Sequence, residues 1–534
     1  MSTKQMDKNK KYDRQLRLWG DHGQQSLETA TVCLVNATAT GTEILKNLIL
    51  PGVGSFTIVD GNKVTGQDIG NNFFLDKDSL GKSRAQVATE LLLELNEDVS
   101  GDFVDEKPEV LVENNPTFFN TFSIVIVTDI SEKGLLTLAD LLWKNGVPLL
   151  ITRSYGLIGY MRLAVKEHTV TESHPDSSHE DLRLDHPFPA LVDFCDSLNL
   201  DEMSKKDHMH TPWLVIIYKY LQIWKERHNG DPPKNYKEKK EFKELIKTGI
   251  RSKDEDIPED EENFDEAITH VNSVLVPTKV PDSVCEIFND NACCNLHTES
   301  SAFWIMARAV KDFVDHEGDG MLPLRGSIPD MTADSERYIK LQNVYKDKAN
   351  SDMSLVYARV VNLLKANGKP HDFIEEEDVR LFCKNSYFLR LIRGRSIEEE
   401  HTPDPNSLSH IASLLDDPSS EDITWYILLR AVDRFHAQYN RYPGQYDDQV
   451  EADIAKLKGC VGKMTQEWGL TSNIKDDMIH EICRYGAAEL HSVASFMGGI
   501  AAQEAIKIVT SQFVPFNNTY IYNAMKQTSM TEQL

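Results

Sequence analysis

The chain has 534 residues, of which 40% are hydrophobic and 26% charged, a composition typical of a folded protein with several domains. Its formal net charge of −27 disfavours nucleic acid as a partner, because such binding depends on clustered Lys and Arg. No run of about 20 apolar residues could form a transmembrane segment, and the charged N-terminus lacks the apolar centre of a secretory signal.

The first 150 residues alternate short apolar runs with helical patterns. This alternation is typical of β-α-β units and predicts a parallel, doubly wound sheet. Strands are predicted at residues 32–35, 55–59, 123–127 and 148–152. One helix is predicted after Gly20, and further helices are predicted at residues 43–50, 82–96 and 136–144.

From about residue 166 the pattern becomes mainly helical, and near Gly486 small and apolar residues return. The residues from Gly486 onward predict a helix and then a strand, and these two elements complete the first fold. We therefore predict an α/β, Rossmann-like, mostly parallel sheet that is formed by residues 1–165 and 481–534. A large, mainly α-helical insertion at residues 166–480 interrupts it.

The turn after the first predicted strand departs from a nucleotide-binding loop. Such loops carry G-x-G-x-x-G, because glycines allow a tight turn and bring backbone N–H groups close to phosphate. Here residues 36–41 read NATATG, and only Gly41 remains. The Cβ atoms of Asn36 and Thr38 would crowd a phosphate and restrict positive φ values, so we expect no tight ATP binding. Asp60, after the second strand, is interpreted as a turn residue, with a ribose contact as the alternative.

Several stretches resemble the adenylation domains of ubiquitin and ubiquitin-like activating enzymes. They are KYDRQLRLWG (11–20), ATGTEILKNLILPGVGSFTIVDG (39–61) and GGIAAQEAIKIVT (498–510). The interior segments SYGLIGYMR (154–162) and IPDMTADSERYIKLQNVY (328–345) narrow the resemblance to the inactive, regulatory subunits of the heterodimeric members that serve neddylation. The resemblance covers essentially the whole chain. It implies a pseudo-adenylation domain interrupted by an insertion that is similar to a catalytic-cysteine domain but lacks the cysteine.

Active members of this family carry an Asn-Arg-Gln-Phe element, a lysine and a magnesium-binding aspartate, and this chain differs at most of them. Asn71 stands in place of the arginine, and Arg84 stands in place of the lysine. Asp129 falls close to the expected Mg²⁺ ligand, but one carboxylate cannot replace a phosphate cradle. The resemblance therefore implies that this chain binds no cofactor, and that ATP and Mg²⁺ belong to the partner subunit.

The resemblance also assigns a role to Arg14. The sequence pattern alone indicates a solvated helix arginine. In the family a like-placed arginine reaches across the dimer into the partner's ATP site, and Arg14 is the matching position. An arginine supplied in this way stabilises charge on phosphate groups.

None of the eight cysteines has the basic surroundings of a catalytic thiolate. The acyl-carrying cysteine is therefore expected on the partner. The unpaired spacing of the eight cysteines fits a reducing compartment, so we expect the protein in the cytoplasm and nucleus. Binding to a receptor partner is an alternative that would add peripheral association with the cell membrane. His208 and His210 lack further ligands, and we expect no metal site.

Residues 330–343 mix acidic, aromatic and apolar side chains in a pattern typical of an amphipathic helix. The resemblance implies that this segment contacts the catalytic subunit. The candidate contacts are Asp330, Met331, Tyr338, Ile339, Leu341 and Asn343.

The sequence thus predicts the regulatory subunit of a dimeric enzyme. That enzyme would adenylate the C-terminal glycine of a ubiquitin-like modifier with ATP and load it as a thioester on the partner's cysteine, which initiates cullin neddylation. One alternative is an autonomous nucleotide-dependent enzyme, which would need the lost glycine loop. The other is an adaptor that binds cell-cycle proteins or receptor tails, such as that of amyloid precursor protein.

Overall fold

The computed structural model describes residues 10–175, 180–254, 257–470 and 474–534, without the side chains of 253–254 and 257–258. Residues 1–9, on which the expectation about a secretory signal partly rests, lie outside the described residues. The strands are β1 (Thr31–Val35), β2 (Ser55–Val59), β3 (Ser100–Val104), β4 (Ile124–Val127), β5 (Leu149–Tyr155), β6 (Ile158–Ala164), β7 (His168–Val170), β8 (Ser252–Asp254), β9 (Ile257–Pro258), β10 (Arg390–Ile392), β11 (Thr519–Asn523) and β12 (Thr528–Glu532).

Helices make up most of the remaining chain. In chain order they are α1 (Asp13–Thr29), α2 (Ala39–Ile49), α3 (Gly66–Asn71), α4 (Arg84–Leu93), α5 (Pro108–Asn114), α6 (Glu132–Asn145), α7 (Pro189–Asp196), α8 (Lys205–Met209), α9 (Trp213–Arg227), α10 (Tyr236–Lys247), α11 (Glu262–Val274), α12 (Asp282–Asn289), α13 (Asn291–Cys294), α14 (Ala302–Asp315), α15 (Ser335–Ala366), α16 (Glu376–Asn385), α17 (Ile397–His401), α18 (Pro405–Asp416), α19 (Ile423–Tyr439), α20 (Val450–Glu467), α21 (Asp476–Tyr485) and α22 (His491–Thr510).

Eight strands form one sheet in the order β12-β11-β6-β5-β4-β1-β2-β3. The five strands from β5 to β3 run parallel, whereas β6, β11 and β12 join by antiparallel pairing. The predicted mostly parallel α/β sheet is confirmed. The C-terminal helix and strand also complete the first fold as predicted, because β11 pairs with β6 in register Ile521 to Tyr160.

The central strand β1 is buried on both faces, which explains its continuous apolar run. Val32 and Leu34 belong to the core on one side of the sheet, and Cys33 and Val35 to the core on the other. On the first side α22 packs closely on α2. A Cβ added at Gly498 would lie 2.7 Å from Glu43 Cβ, so the helices approach this closely only with glycine at that position.

The described chain divides into two compact units, residues 1–170 with 391–534, and Thr171–Arg390. The first unit contains the sheet and also α17 to α21, although the predicted insertion ran to residue 480. The second unit is mainly helical and has its own core around α9, in which Trp213 and Ile216 are fully buried. Among the described residues, no helix combines the length and apolar character needed to cross a bilayer.

Candidate functional site

A polar cleft of about 580 Å³ lies in the first unit, at the edge of the sheet where the parallel strands β1, β2 and β4 end. Ligands of open α/β sheets bind at this edge, so the cleft stands where a nucleotide site would be expected. Its walls include Thr38, Asn71, Arg84, Asp129, Arg153, Tyr442 and Glu489.

The loop between β1 and α2 forms one side of this cleft. Asn36 has a φ of 66°, a positive value that its Cβ was expected to restrict, so this part of the expectation is wrong. Asparagine tolerates the left-handed region, and here its Nδ2 donates to the backbone carbonyl of Asp129. Thr38 precedes α2, and its hydroxyl accepts from the N–H of Gly41 at 3.3 Å. Both side chains therefore brace the loop.

A carboxylate of the chain itself occupies the N-terminus of α2. Glu489 accepts hydrogen bonds from the N–H groups of Ala39 at 2.9 Å and Thr40 at 3.2 Å, and from the Thr40 hydroxyl at 2.5 Å. Burial raises the pKa of Glu489 above its ordinary value, and these hydrogen bonds offset only part of that rise. A helix N-terminus attracts anions, and here those N–H groups already have one. The sequence interpretation missed Glu489, which lies about 450 residues from the loop and shows no local signal.

The two charged residues that the sequence interpretation considered for nucleotide contacts are bound to each other. Arg84 Nε donates to Asp60 Oδ2 at 2.6 Å, and Arg84 Nη1 donates to Asp68 Oδ1 at 3.0 Å. Asp60 is fully buried and also accepts from the N–H of Ala37 at 2.9 Å. Burial would lower the pKa of Arg84, but the two carboxylates raise it above its ordinary value. Asp60 thus acts as a structural anion in the turn.

The opposite wall of the cleft is closed by ionic and aromatic contacts. The Tyr442 hydroxyl donates to Asp129 Oδ1 at 2.6 Å, and burial followed by the nearby Asp129 charge raises the pKa of Tyr442. Arg153 pairs with Asp433 at 2.7 Å and lies 5.3 Å above the Tyr442 ring. Asp129 therefore already has a hydrogen-bonding partner at the position where the family would place a magnesium ligand.

Arg14 lies on the exposed side of α1, near its start. Within the described chain it makes no hydrogen bond or ion pair. Arg17, one turn further along, pairs with Asp13 at 2.8 Å, as a helical spacing of four residues allows. The trans-acting role of Arg14 stays a prediction, and among the described residues no side-chain hydrogen bond or ion pair of Arg14 opposes it.

The predicted partner-contact segment begins before α15 and continues into it. Asp330, Ile339 and Asn343 are exposed, and Tyr338 is half-buried. Two other candidates point inward, because Met331 and Leu341 belong to the core of the second unit. The partner contact stays a prediction, and the exposed residues are the ones that can make it.

All eight cysteines are free thiols. Cys285 and Cys294 are half-buried, and Lys311 Nζ lies 3.6 Å from Cys294 Sγ, a contact that the sequence did not indicate. Burial raises the pKa of the other thiols, for example of Cys195 and Cys293 to about 12, which disfavours the nucleophilic thiolate. These others are Cys33, Cys195, Cys293, Cys383, Cys460 and Cys483.

Comparison with known proteins gives one consistent result. Residues 12–534 match the ThiF family. The chain is 58% identical to the NEDD8-activating enzyme E1 regulatory subunit of Xenopus laevis, over 99% of each chain, and 57% identical to that of Danio rerio, over 100% of each. It is 43% identical to the NEDD8-activating enzyme E1 regulatory subunit AXR1 of Arabidopsis thaliana, over 98% of this chain and 96% of that one.

Proposed function

The chain belongs to the ThiF family and to its NEDD8-activating enzyme E1 regulatory subunits, and from this premise we propose that it is the non-catalytic half of a heterodimeric activating enzyme. The complex adenylates the C-terminal glycine of the modifier NEDD8 with ATP. It then transfers the acyl group to a cysteine of the catalytic subunit, which starts protein neddylation. The chain alone is inactive.

One observation carries the proposal that catalysis belongs to the partner. The Glu489 carboxylate occupies the N-terminus of α2, at 2.9 Å from the N–H of Ala39. A nucleotide phosphate at this position would meet an anion instead of unpaired N–H donors, and like charges at this distance repel. ATP and Mg²⁺ accordingly bind at the catalytic subunit.

Arg84 and Asp129 support the same assignment. In the active members that this chain resembles, a lysine and an aspartate at such positions hold phosphate and magnesium. Here Arg84 is neutralised by Asp60 and Asp68, and Asp129 accepts from Tyr442. A nucleotide would have to break the buried Arg84–Asp60 pair and the exposed Tyr442–Asp129 hydrogen bond before it could form its own contacts, and broken buried ion pairs are costly.

The contribution of this chain to the chemistry is Arg14. Its guanidinium is exposed and unpaired within the described chain, so it is available to a phosphate in the partner's site. An arginine at the phosphates stabilises the negative charge of the adenylation transition state.

The test is ATP–pyrophosphate exchange driven by NEDD8. The samples are this chain alone, the catalytic subunit alone and an equimolar mixture of both. We expect exchange in the mixture and none above background with this chain alone. Modifier-dependent exchange by this chain alone would overturn the proposal and favour an autonomous adenylating enzyme.

A further inference from the structure

A basic pocket of about 250 Å³ lies within the second unit, between the loop at residues 322–326 and the helices α15 and α16. Its walls carry four cations, Arg325, Lys346, Arg380 and Lys384, and no carboxylate. The chain as a whole has a net charge of −27, so the positive charge of this pocket wall is opposite in sign to the charge of the chain. Clustered cations around a concavity are the electrostatic signature of an anion site.

Arg325 is fixed in place without being neutralised. Its guanidinium carbon lies 5.1 Å from the centre of the Phe388 ring, which orients the side chain. Its Nε is buried and has no hydrogen-bond partner among the described residues. The Phe388 ring carries no charge, so Arg325 keeps its positive charge at the wall of the pocket.

The other three cations differ in how far they are compensated. Lys346 donates to the neutral Gln342 at 3.0 Å, so its charge is not cancelled. Lys384 is exposed and has no carboxylate partner in the part of the chain that the structure describes. Arg380 does have acidic partners, the exposed Glu376 at 3.3 Å and Glu377 at 3.1 Å. Three of the four cations therefore contribute uncompensated charge.

Close packing holds the wall of the pocket rigid. Arg380 Nη1 donates to Asn350 Oδ1 at 2.7 Å and so links α16 to α15. Gly326 has a φ of 81°, and a Cβ added there would lie 2.7 Å from the Cβ of Ala349. The loop that carries Arg325 is thus held against α15, and the cations need little rearrangement to meet a ligand.

We propose that this pocket binds a phosphate group. A phosphate monoester carries close to two negative charges and three acceptor oxygens, which suits several converging donors better than a single carboxylate does. Arginine also recognises phosphate with two parallel hydrogen bonds. The phosphate comes either from a phosphorylated peptide or from the free ion, and this site is independent of the proposed role in the heterodimer.

The experiment uses the full-length chain and two probes. One probe is inorganic phosphate, followed by calorimetry, and the other is a fluorescein-labelled Gly/Ala peptide with one phosphoserine, followed by anisotropy. Lys384→Glu is the test variant. Lys240→Glu, at an exposed position of α10 in the same unit, is the matched control because it makes the same change in net charge.

We expect the unchanged chain to bind at least one probe, and Lys384→Glu to weaken that binding about tenfold or more, while Lys240→Glu changes it less than about twofold. Binding of the phosphopeptide but not of its unphosphorylated form identifies a peptide ligand, and binding of phosphate alone identifies the free ion. No binding of either probe, or equal effects of the two substitutions, would overturn the proposal.

Discussion

At the scale of single residues, the ligand that the cleft can bind depends on which anion faces the N-terminus of α2. The N–H groups of Ala39 and Thr40 point at Glu489, as they would point at a phosphate in a nucleotide-binding loop. The Thr40 hydroxyl adds a third donor and a link to Ser154 at 2.8 Å. The chain thus retains the geometry of an anion site and fills it with its own carboxylate.

Replacement of this carboxylate tests its structural role. Glu489→Ala leaves two N–H groups without an acceptor, so we expect the opening free energy of residues 36–42 to fall by about 1–3 kcal/mol. Hydrogen exchange of peptides that cover this loop measures the change. The exposed Glu97→Ala on the same unit is the control. Unchanged protection in Glu489→Ala would show that the carboxylate does not hold the loop.

Arg14 is the second residue with a specific consequence. Arg14→Ala should lower exchange by the mixed complex about tenfold or more, which corresponds to about 1.4 kcal/mol of transition-state stabilisation. Arg17→Ala is the control, because Arg17 is already paired with Asp13. Equal rates for Arg14→Ala and the unchanged complex would mean that Arg14 takes no part in the partner's site.

Residue-level prediction from the sequence succeeded where the signal is local. Residues 36–41 lack all but one of the glycines of a nucleotide-binding loop, and this local sequence was enough to predict a degenerate loop. The carboxylate that fills the site was not predictable in this way, because Glu489 meets Thr40 only through the folded chain. The positive φ of Asn36 was also missed, since it depends on a contact with Asp129.

At the scale of elements, a buried ionic network joins the sheet to the helices that follow residue 391. Arg162 on β6 is fully buried and donates to Glu400 on α17 at 2.6 Å. Tyr426 on α19 donates to the other oxygen of Glu400 at 2.9 Å, and Arg430 Nη1 lies 2.7 Å from His401 Nδ1. These contacts explain why α17 and α19 pack with the sheet.

This network makes the stability of the first unit sensitive to acid. Burial, followed by the charge of Arg430, lowers the pKa of His401 to about 4. As the pH falls below about 6.5, the unfolded chain takes up the proton first, so the free energy of unfolding decreases until the pH reaches the folded pKa. At pH 5 the loss from this one group is about 2 kcal/mol.

The measurement is the urea midpoint at pH 7 and pH 5. The unchanged chain should lose more stability between the two values than His401→Gln, which has no proton to take up. His480→Gln, at an exposed position, should behave like the unchanged chain. An equal decrease in all three proteins would show that His401 is not the group that titrates.

Element prediction from the sequence depended on apolar runs. The strands β1, β2, β4 and β5 are confirmed near their predicted positions, because each is an apolar segment buried in the sheet. The edge strand β3 was missed, since Ser100–Val104 is largely exposed and carries no apolar run. The packing of α17 on the sheet was missed for another reason: its partner in β6 lies more than 200 residues away, and pairings over such a distance leave no local pattern.

At the scale of the whole molecule, the fold of an adenylating enzyme is retained, while the groups in its cleft that would meet a nucleotide are bonded to other residues of the chain. The parallel sheet, the α2 helix and the cleft at the strand ends are all present. The contacts in that cleft are internal to the chain. A fold does not determine an activity, and here the site rather than the fold supports the proposal that the chemistry belongs to a partner.

The most direct test of this account is photolabelling of the assembled heterodimer with radioactive 8-azido-ATP, with and without excess ATP. We expect ATP-competed label on the catalytic subunit alone, because Glu489, Asp60 and Tyr442 already occupy the groups that a nucleotide would need in this chain. Label on this chain that excess ATP removes would contradict the account, because it would show that the cleft still holds a nucleotide.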